Sequence, residues 1–273
     1  MPVIIDGTNG VSTPNTFAFK NRIIDGGFTI NQRGYVSGTS LSSGSYGHDR
    51  WKGGASGGTY TFTQASAGVN TTITITAGSI IQVIEGANLP EGGTYVLSWT
   101  GTAQGKIGAG SFGASGITGT ITAGTNTNIE FNTGTCGNVQ LEVGSTATSF
   151  DYRPFGTELM LCQRYFYRSL NASAVSGSNP NILATRWTTN QALLSIPCPV
   201  PLRTTPSISK SGTIYIYAGG TSITLGSVIA VPTNYSVFTC YPNVRVDATG
   251  ILGSTAWVCE YDVNAYFEVS AEL

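Results

Sequence analysis

The stretch "QLEVGSTATSFDYRPFGTELMLCQRYFYRS", Gln140 to Ser169, changes character halfway along. Its opening residues belong to the run "NVQLEV" (Asn138 to Val143), whose side chains alternate between two faces as in a β-strand. After Pro154 the pattern predicts a helix. Thr157 stands as its N-cap, Glu158 follows at the positive end of the dipole, and "ELMLCQRYFYR" passes without glycine or proline. Leu159, Cys162 and Phe166 fall at i, i+3 and i+7, on one side of that helix, and Arg164 and Arg168 come late, where the dipole favours them. The alternative is that the helix ends near Cys162 and "QRYFYRS" already begins a strand. On either reading residues 157–168 form a junction, with β patterning on both sides of it.

Composition agrees with a β protein. The chain has 273 residues, with 36 glycines but only 27 charged side chains (13 Lys+Arg and 14 Asp+Glu). Lysine and glutamate, the usual residues of helix surfaces, are scarce, and glycine disfavours helix interiors. With 40% hydrophobic residues the chain can bury a core, which excludes disorder. The net charge of −1 leaves no electrostatic footprint for nucleic acid. No run approaches the roughly 18 apolar residues of a membrane span, and "MPVIIDGTNGVSTPN" lacks the basic and apolar regions of a signal peptide. Cys136, Cys162, Cys198, Cys240 and Cys259 are widely spaced, with no CxxC pair, so buried free thiols are the default reading and a Cys240–Cys259 bridge the exception.

Residues 1–20 read as a lead-in, with a short strand "VIID" and a turn "GTNG", which either docks on another protein or frays. Residues 21–156 follow as a first β-sandwich. "TYTFT" (59–63), "TTITIT" (71–76), "YVLSWT" (95–100) and "NVQLEV" alternate at period two, separated by glycine-rich turns. In "TTITIT" the pattern predicts Ile73 and Ile75 inward and the threonines outward. Residues 169–273 form a second sandwich. There "GTIYIYAG" sets Ile214 and Ile216 against Tyr215 and Tyr217, "AWVCEYDV" groups Trp257, Cys259 and Tyr261, and "AYFEVSAEL" turns Ala265, Phe267 and Val269 inward. "SIPCPVPLRTTPS" must be loop or edge, because each proline removes a ladder donor. The fold class is all-β: two antiparallel, jelly-roll-like sandwiches joined by a short helical or irregular junction.

Taken together, "NRIIDGGFTINQRG", "HDRW", "VQLEVGSTATSFDYRPFGTELMLCQRYF" and the final "VSAEL" resemble bacteriophage tail-fibre or receptor-binding proteins. The similarity is best over Asn21 to Tyr167. The resemblance implies a homotrimer in the virion tail, assembled in the host cytoplasm. It further implies attachment to other tail or baseplate proteins through the N-terminus, modules similar to carbohydrate-binding modules, and adhesion to a host-surface glycan. The "GGF" and "QLE" segments resemble strands that begin and end such jelly rolls. Leu159, Cys162 and Phe166 would then be candidates for the three-fold axis, the rival being a junction buried within one chain. A purely structural tail or baseplate component, and a non-viral carbohydrate-binding module, are the alternatives.

Catalytic chemistry has little to build on. A Ser-His-Asp triad needs a histidine, and the single one, His48, precedes Asp49 directly, which puts the two on opposite faces of an extended strand. It reads as a loop histidine beside a core-anchoring Trp51. Glu260 and Asp262 lie i, i+2 on one strand, about 7 Å apart, a spacing open to acid–base work but equally that of any hairpin rim. The glycine-rich "GTAQGKIGAGSFGASG" lacks the order of a phosphate loop. No enzyme is expected. Neither is a cofactor, apart from a structural calcium with Asp25, Glu85 and Glu142 as weak candidates. What remains is binding. Sugars are gripped by aromatic faces and by Asn, Arg and Asp, which points to Arg186, Trp187, Tyr215, Tyr217, Tyr235, Tyr241 and Arg245 in the second sandwich.

Overall fold

In the computed structural model Ile73 and Ile75 are buried and Thr74 and Thr76 exposed, the alternation that "TTITIT" predicts. The structure describes residues 4–6, 10–12, 19–64, 66, 68–169, 182–218, 221–230, 242–248, 257–261 and 265–273. All of its paired strands run antiparallel, and the chain divides into two compact units, Met1–Leu159 with Leu273, and Met160–Glu272. The division falls inside the predicted junction.

In the first unit β1 (Ile4–Asp6) pairs antiparallel with β2 (Gly10–Ser12), with Asp6 opposite Gly10. The main sheet comprises β3 (Ser40–Leu41), β4 (Lys52–Thr61), β5 (Ile73–Ile84), β6 (Gly93–Thr100), β7 (Gly105–Ile107), β8 (Ile117–Ile121), β9 (Thr127–Phe131) and β10 (Gly134–Val143). Two long strands change partners. β5 pairs with β10 through Ile73–Ile75 and with β9 from Ile80 to Ile84, while β4 lines its other edge. β10 leaves β5 after Cys136 and joins β6 from Gly137, across a register shift where Asn138 has φ 48°. A bulge of this kind bends the strand, and here it curls the sheet around one core. Trp51, Tyr60, Phe28, Phe131, Leu97 and Leu141 are all buried in that core.

The segment 21–30 departs from the expected opening strand. It makes no regular ladder but is laced to the sheet, with Arg22 N donating to Leu141 O (2.8 Å) and Val139 N to Gly26 O (2.8 Å). Side chains complete the pairing. Gln82 Oε1 accepts from Ile24 N (2.8 Å) and its Nε2 donates to Ile24 O (2.7 Å). Asn21 donates to Val139 O (2.9 Å) and accepts from Ile23 N (2.9 Å) and Leu141 N (3.0 Å). Gly26 permits this close approach, since a Cβ there would stand 2.1 Å from Val139 O.

α1 (Phe155–Gln163) begins before the predicted cap. The carbonyl of Pro154 accepts from both Thr157 N (2.9 Å) and Glu158 N (3.1 Å), so Thr157 lies inside the first turn. The helix closes at Gln163, and β11 (Phe166–Arg168) follows, which realises the alternative in which the aromatic run starts a strand. Cys162 and Phe166 are buried within a single chain and Leu159 is half-buried. The exposed apolar side chains of α1 are Phe155 and Met160.

In the second unit β11, β20 (Tyr266–Ser270) and β14 (Ser207–Ser211) form a three-stranded sheet in the order β11-β20-β14. A seven-stranded sheet runs β16-β15-β19-β12-β13-β18-β17. Its strands are β12 (Leu183–Thr188), β13 (Gln191–Ser195), β15 (Ile214–Ala218), β16 (Thr221–Thr224), β17 (Val228–Ala230), β18 (Asn243–Asp247) and β19 (Trp257–Tyr261). Ala265, Phe267 and Val269 are buried, as their alternation predicts, and share one core with Ile214, Ile216, Leu194 and Val246 of the larger sheet. The proline-rich stretch is loop between β13 and β14. Cys136, Cys162 and Cys198 are buried and in no disulfide, whereas the Cys240–Cys259 alternative lies outside the described residues.

Candidate functional site

Segments far apart in the sequence meet in a buried polar lattice inside the first unit. Asp25 sits at its centre, fully buried. Its Oδ1 accepts from Thr29 N (2.6 Å), Thr29 Oγ1 (3.0 Å) and Ile30 N (3.1 Å). Its main-chain N–H donates to Glu158 Oε1, and its carbonyl accepts from Trp51 Nε1 (3.0 Å). Arg153 holds the other side of Glu158 with Nη1 at 3.2 Å from both carboxylate oxygens. The same guanidinium donates to Ile23 O (3.0 Å) and Asn21 O. Asp49 accepts from the backbone (3.1 Å) and side chain of Gln32 and pairs with Arg33 at 3.6 Å. Burial drives the Asp25 carboxyl well above the ordinary carboxylate value, opposed by the Thr29 N–H and reinforced by the charges of Asp49 and Glu158. The carboxyl holds a turn, and the stability that its raised pKa contributes declines as pH climbs past the unfolded carboxylate value.

His48 is enclosed by rings, edge-on to Phe62 (4.5 Å) and Phe28 (5.9 Å). Tyr60 Oη accepts from His48 N (2.8 Å) and lies 2.9 Å from Nδ1, while Nε2 has no hydrogen-bond partner. Burial lowers its pKa to about 4. The unfolded chain binds this proton below about pH 6.5 and the folded chain does not, so stability is full above that value and falls as pH drops towards 4. The expected loss is roughly 3 kcal/mol, read as a falling midpoint in urea titrations from pH 7 to 4. A His48→Gln variant flattens that dependence, and an equally steep curve in the variant would contradict the assignment.

The calcium candidates are separately engaged. Asp25 Oδ1 is taken up by the Thr29 and Ile30 donors just described. Both oxygens of Glu142 accept within their own loop, from Gln140 Nε2 (2.7 Å), Thr148 N (2.8 Å) and Thr148 Oγ1 (2.7 Å). The carbonyl of Glu85 accepts from Asn88 N (2.9 Å) at a short 3-10 turn. Among the described residues no group of three His, Cys, Asp or Glu side chains comes together to hold a metal.

In the second unit the sugar-binding candidates separate into groups. Trp187 lies in β12, where pairing with β13 slips between Arg186 and Thr188, and it is 54% exposed. Arg245 reaches it from β18, two strands away, with its guanidinium carbon 5.7 Å from the indole. Thr185, Leu193 and Arg245 form one cross-strand row beside it. Arg186 is exposed, and its Nε donates to Thr188 O (3.3 Å). Tyr215 is half-buried, on the side of β15 opposite Ile214 and Ile216. It belongs to a different place. Tyr217, Val258 and Leu183 share one register row, which sets Tyr215 two strands from Trp187 and six residues further along, about 20 Å. The backbone of Tyr217 lies in β15, but its side chain, like Tyr235 and Tyr241, lies outside the described residues, as do the Glu260 side chain and Asp262.

The sequence reading missed the exposed aromatic residues Phe19, Tyr152 and Phe155 of the first unit, of which Phe155 lines a small pocket together with Phe150, Asp151 and Arg153. Their signal was an aromatic at Phe150, Tyr152 and Phe155 interleaved with Asp151 and Arg153, which by periodicity alone reads as junction. Set against protein-family models, curated proteins and solved structures, the chain matches none, so the functional argument rests on this geometry.

Proposed function

We propose that the chain is a bacteriophage tail-fibre or receptor-binding protein, a homotrimeric virion component that adheres to a host-surface glycan. Each unit is read as a jelly-roll-like β-sandwich, residues 1–20 as the segment that docks on other tail or baseplate proteins, and the second unit as the adhesive one. Adhesion, with no chemical step, is its activity. The observation that carries this reading is the exposed Trp187 beside Arg245 on the outer side of the seven-stranded sheet. A large apolar ring left in water gains by covering the C–H face of a sugar, and the adjacent guanidinium supplies donors to hydroxyl oxygens. The row Thr185–Leu193–Arg245 extends the contact. Three such sites on one trimer reach useful strength through avidity, although each is weak.

Purified protein is expected to bind susceptible cells and to compete with phage for them. Trp187→Ala should weaken that binding at least about tenfold, the size of a modest hot-spot truncation, with the melting temperature unchanged. Cell binding that is undiminished in the variant moves the adhesive surface elsewhere. Protein that binds no cells at all is a structural tail component instead. Light scattering on the full chain tests the trimer.

A further inference from the structure

Residues 31–39 lie over His48 as a cover with a single apolar anchor. Among them only Tyr35 is buried, while Gly34 and residues 36–39 are exposed, Val36 at 68%. The Tyr35 ring packs on Tyr60 (4.6 Å between centroids) and Phe62 (6.0 Å) and meets His48 edge-on at 6.3 Å. Phe62, itself half-buried, stands edge-on to His48 at 4.5 Å, and its N–H donates to Ser37 Oγ of the cover (2.8 Å). On the other side of the imidazole Phe28 packs on Trp51 at 5.0 Å, both fully buried. The box around His48 therefore has a thick wall towards the core and a thin one towards water.

The thin wall is built to hinge. Gly34 and Gly38 bracket its tip at φ 66° and 84°, where glycine meets no steric penalty. Polar contacts tie it down. Gly38 N donates to Tyr60 O (2.9 Å), Gln32 N donates to Asp49 Oδ1 (3.1 Å), and Arg33 pairs with Asp49 at 3.6 Å. Asn31 Oδ1 accepts from Tyr35 N (2.7 Å) and its Nδ2 donates to Tyr35 O (2.9 Å), so the tip carries part of its own framework with it. Hydrogen bonds of this kind exchange for water at small net cost.

Positive charge is what the box cannot hold. The titratable and charged groups around His48 are Tyr35 and Arg33 of the cover, Tyr60 of β4, the chain neighbours Asp49 and Arg50, and Asp25 of the laced segment, with Tyr46 and Lys52 beyond Arg33. Asp49 is already engaged by Gln32 and Arg33. A protonated imidazole has two N–H donors. Tyr60 Oη stands 2.9 Å from Nδ1, but Nε2 would carry a charged N–H with no acceptor among the described residues. Water can meet it, and the short way to water is through the cover.

We propose that residues 31–39 are an acid-released lid: when His48 takes up a proton, the Tyr35 ring leaves its place, the tip swings on Gly34 and Gly38, and Tyr35, Tyr60 and Phe62 open to solvent while the strands of the sheet stay paired. Proton uptake by a buried histidine that biases a two-state element is a general form of pH switch. The uncovered rings give the open form an apolar contact surface that the closed form lacks. Trp187 and the second unit play no part in it.

Hydrogen exchange on the full chain at pH 7 and pH 4, followed amide by amide and corrected for intrinsic rates, tests the lid. With a folded value of about 4 against the ordinary histidine value, the Tyr35, Gly38 and Thr39 amides should lose protection on the order of a hundredfold. Exchange there should be indifferent to urea at about 1 M, the mark of a local opening, whereas the amides of β5 stay better protected and respond to urea. His48 is the only histidine of the chain, so its ring Cε1–H resonance reads the proton directly and should shift over the same pH range. His48→Gln should cut the loss to below about threefold. Lid amides as protected and as urea-sensitive as those of β5 overturn the proposal, because the unit then opens only as a whole. So do lid protection that is equal at both pH values, a His48 ring that stays neutral while the lid exchanges, and an undiminished loss in a folded His48→Gln variant. The first three outcomes are read on the wild type and decide the matter even where the variant does not fold.

Discussion

Replacing Arg153 with alanine is expected to lower the unfolding free energy of the first unit by about 3–5 kcal/mol, the cost of breaking a buried ion pair from one side. The guanidinium holds Glu158 and the carbonyls of Ile23 and Asn21 at once. Without it Glu158 loses its ion pair while 9% exposed, and keeps the Asp25 N–H. Lysine should not restore the loss, because a point charge cannot reproduce a planar fork that serves three acceptors. Urea denaturation followed by the fluorescence of buried Trp51 measures the effect. A shift below about 1 kcal/mol, the range of surface pairs, would remove Arg153 from the centre of the lattice.

Trp51→Ala is expected to cost a similar amount, about 3–5 kcal/mol. The indole is fully buried, with Phe28 at 5.0 Å and Phe131 at 6.0 Å, and it donates to the Asp25 carbonyl. Trp51→Phe separates the two contributions. It keeps most of the ring and loses the donor, and because Phe28 N still donates to the same carbonyl at 3.1 Å, the expected loss is near 1 kcal/mol. Circular dichroism melts of both variants provide the comparison. Equal losses in the two would mean that the hydrogen bond, and not the packing, is what Trp51 contributes.

Much of the strand pattern was legible because it is local. Ile73 and Ile75, like Phe267 and Val269, face inward wherever their strands pair, so period-two alternation sufficed. The start of α1 was misplaced because Thr157 has the chemistry of a cap, while the Pro154 carbonyl, which any residue could supply, does the capping. Asp25 drew a metal reading because a carboxylate in a sequence looks charged. Its raised pKa comes from burial, with Glu158, 133 residues away, adding to it, and cannot be read locally. Trp187 and Arg245 were each marked as sugar-binding residues, but their adjacency depends on the register of β12, β13 and β18. The same separation hid Arg153, whose acceptors at Asn21 and Ile23 lie 132 and 130 residues away in the chain.

The lacing of residues 21–30 to β10 has a consequence for biosynthesis. Asn21 accepts from Leu141, 120 residues later. At translation rates of about 5–20 residues per second, the early segment waits about 6–24 s before its partner exists. Throughout that interval Ile23 and Phe28, destined for full burial, remain in water on a nascent chain that can pair with the wrong strand or with a neighbouring copy. The first unit therefore closes late and all at once, and its yield in the cell depends on how well holding chaperones bridge the delay.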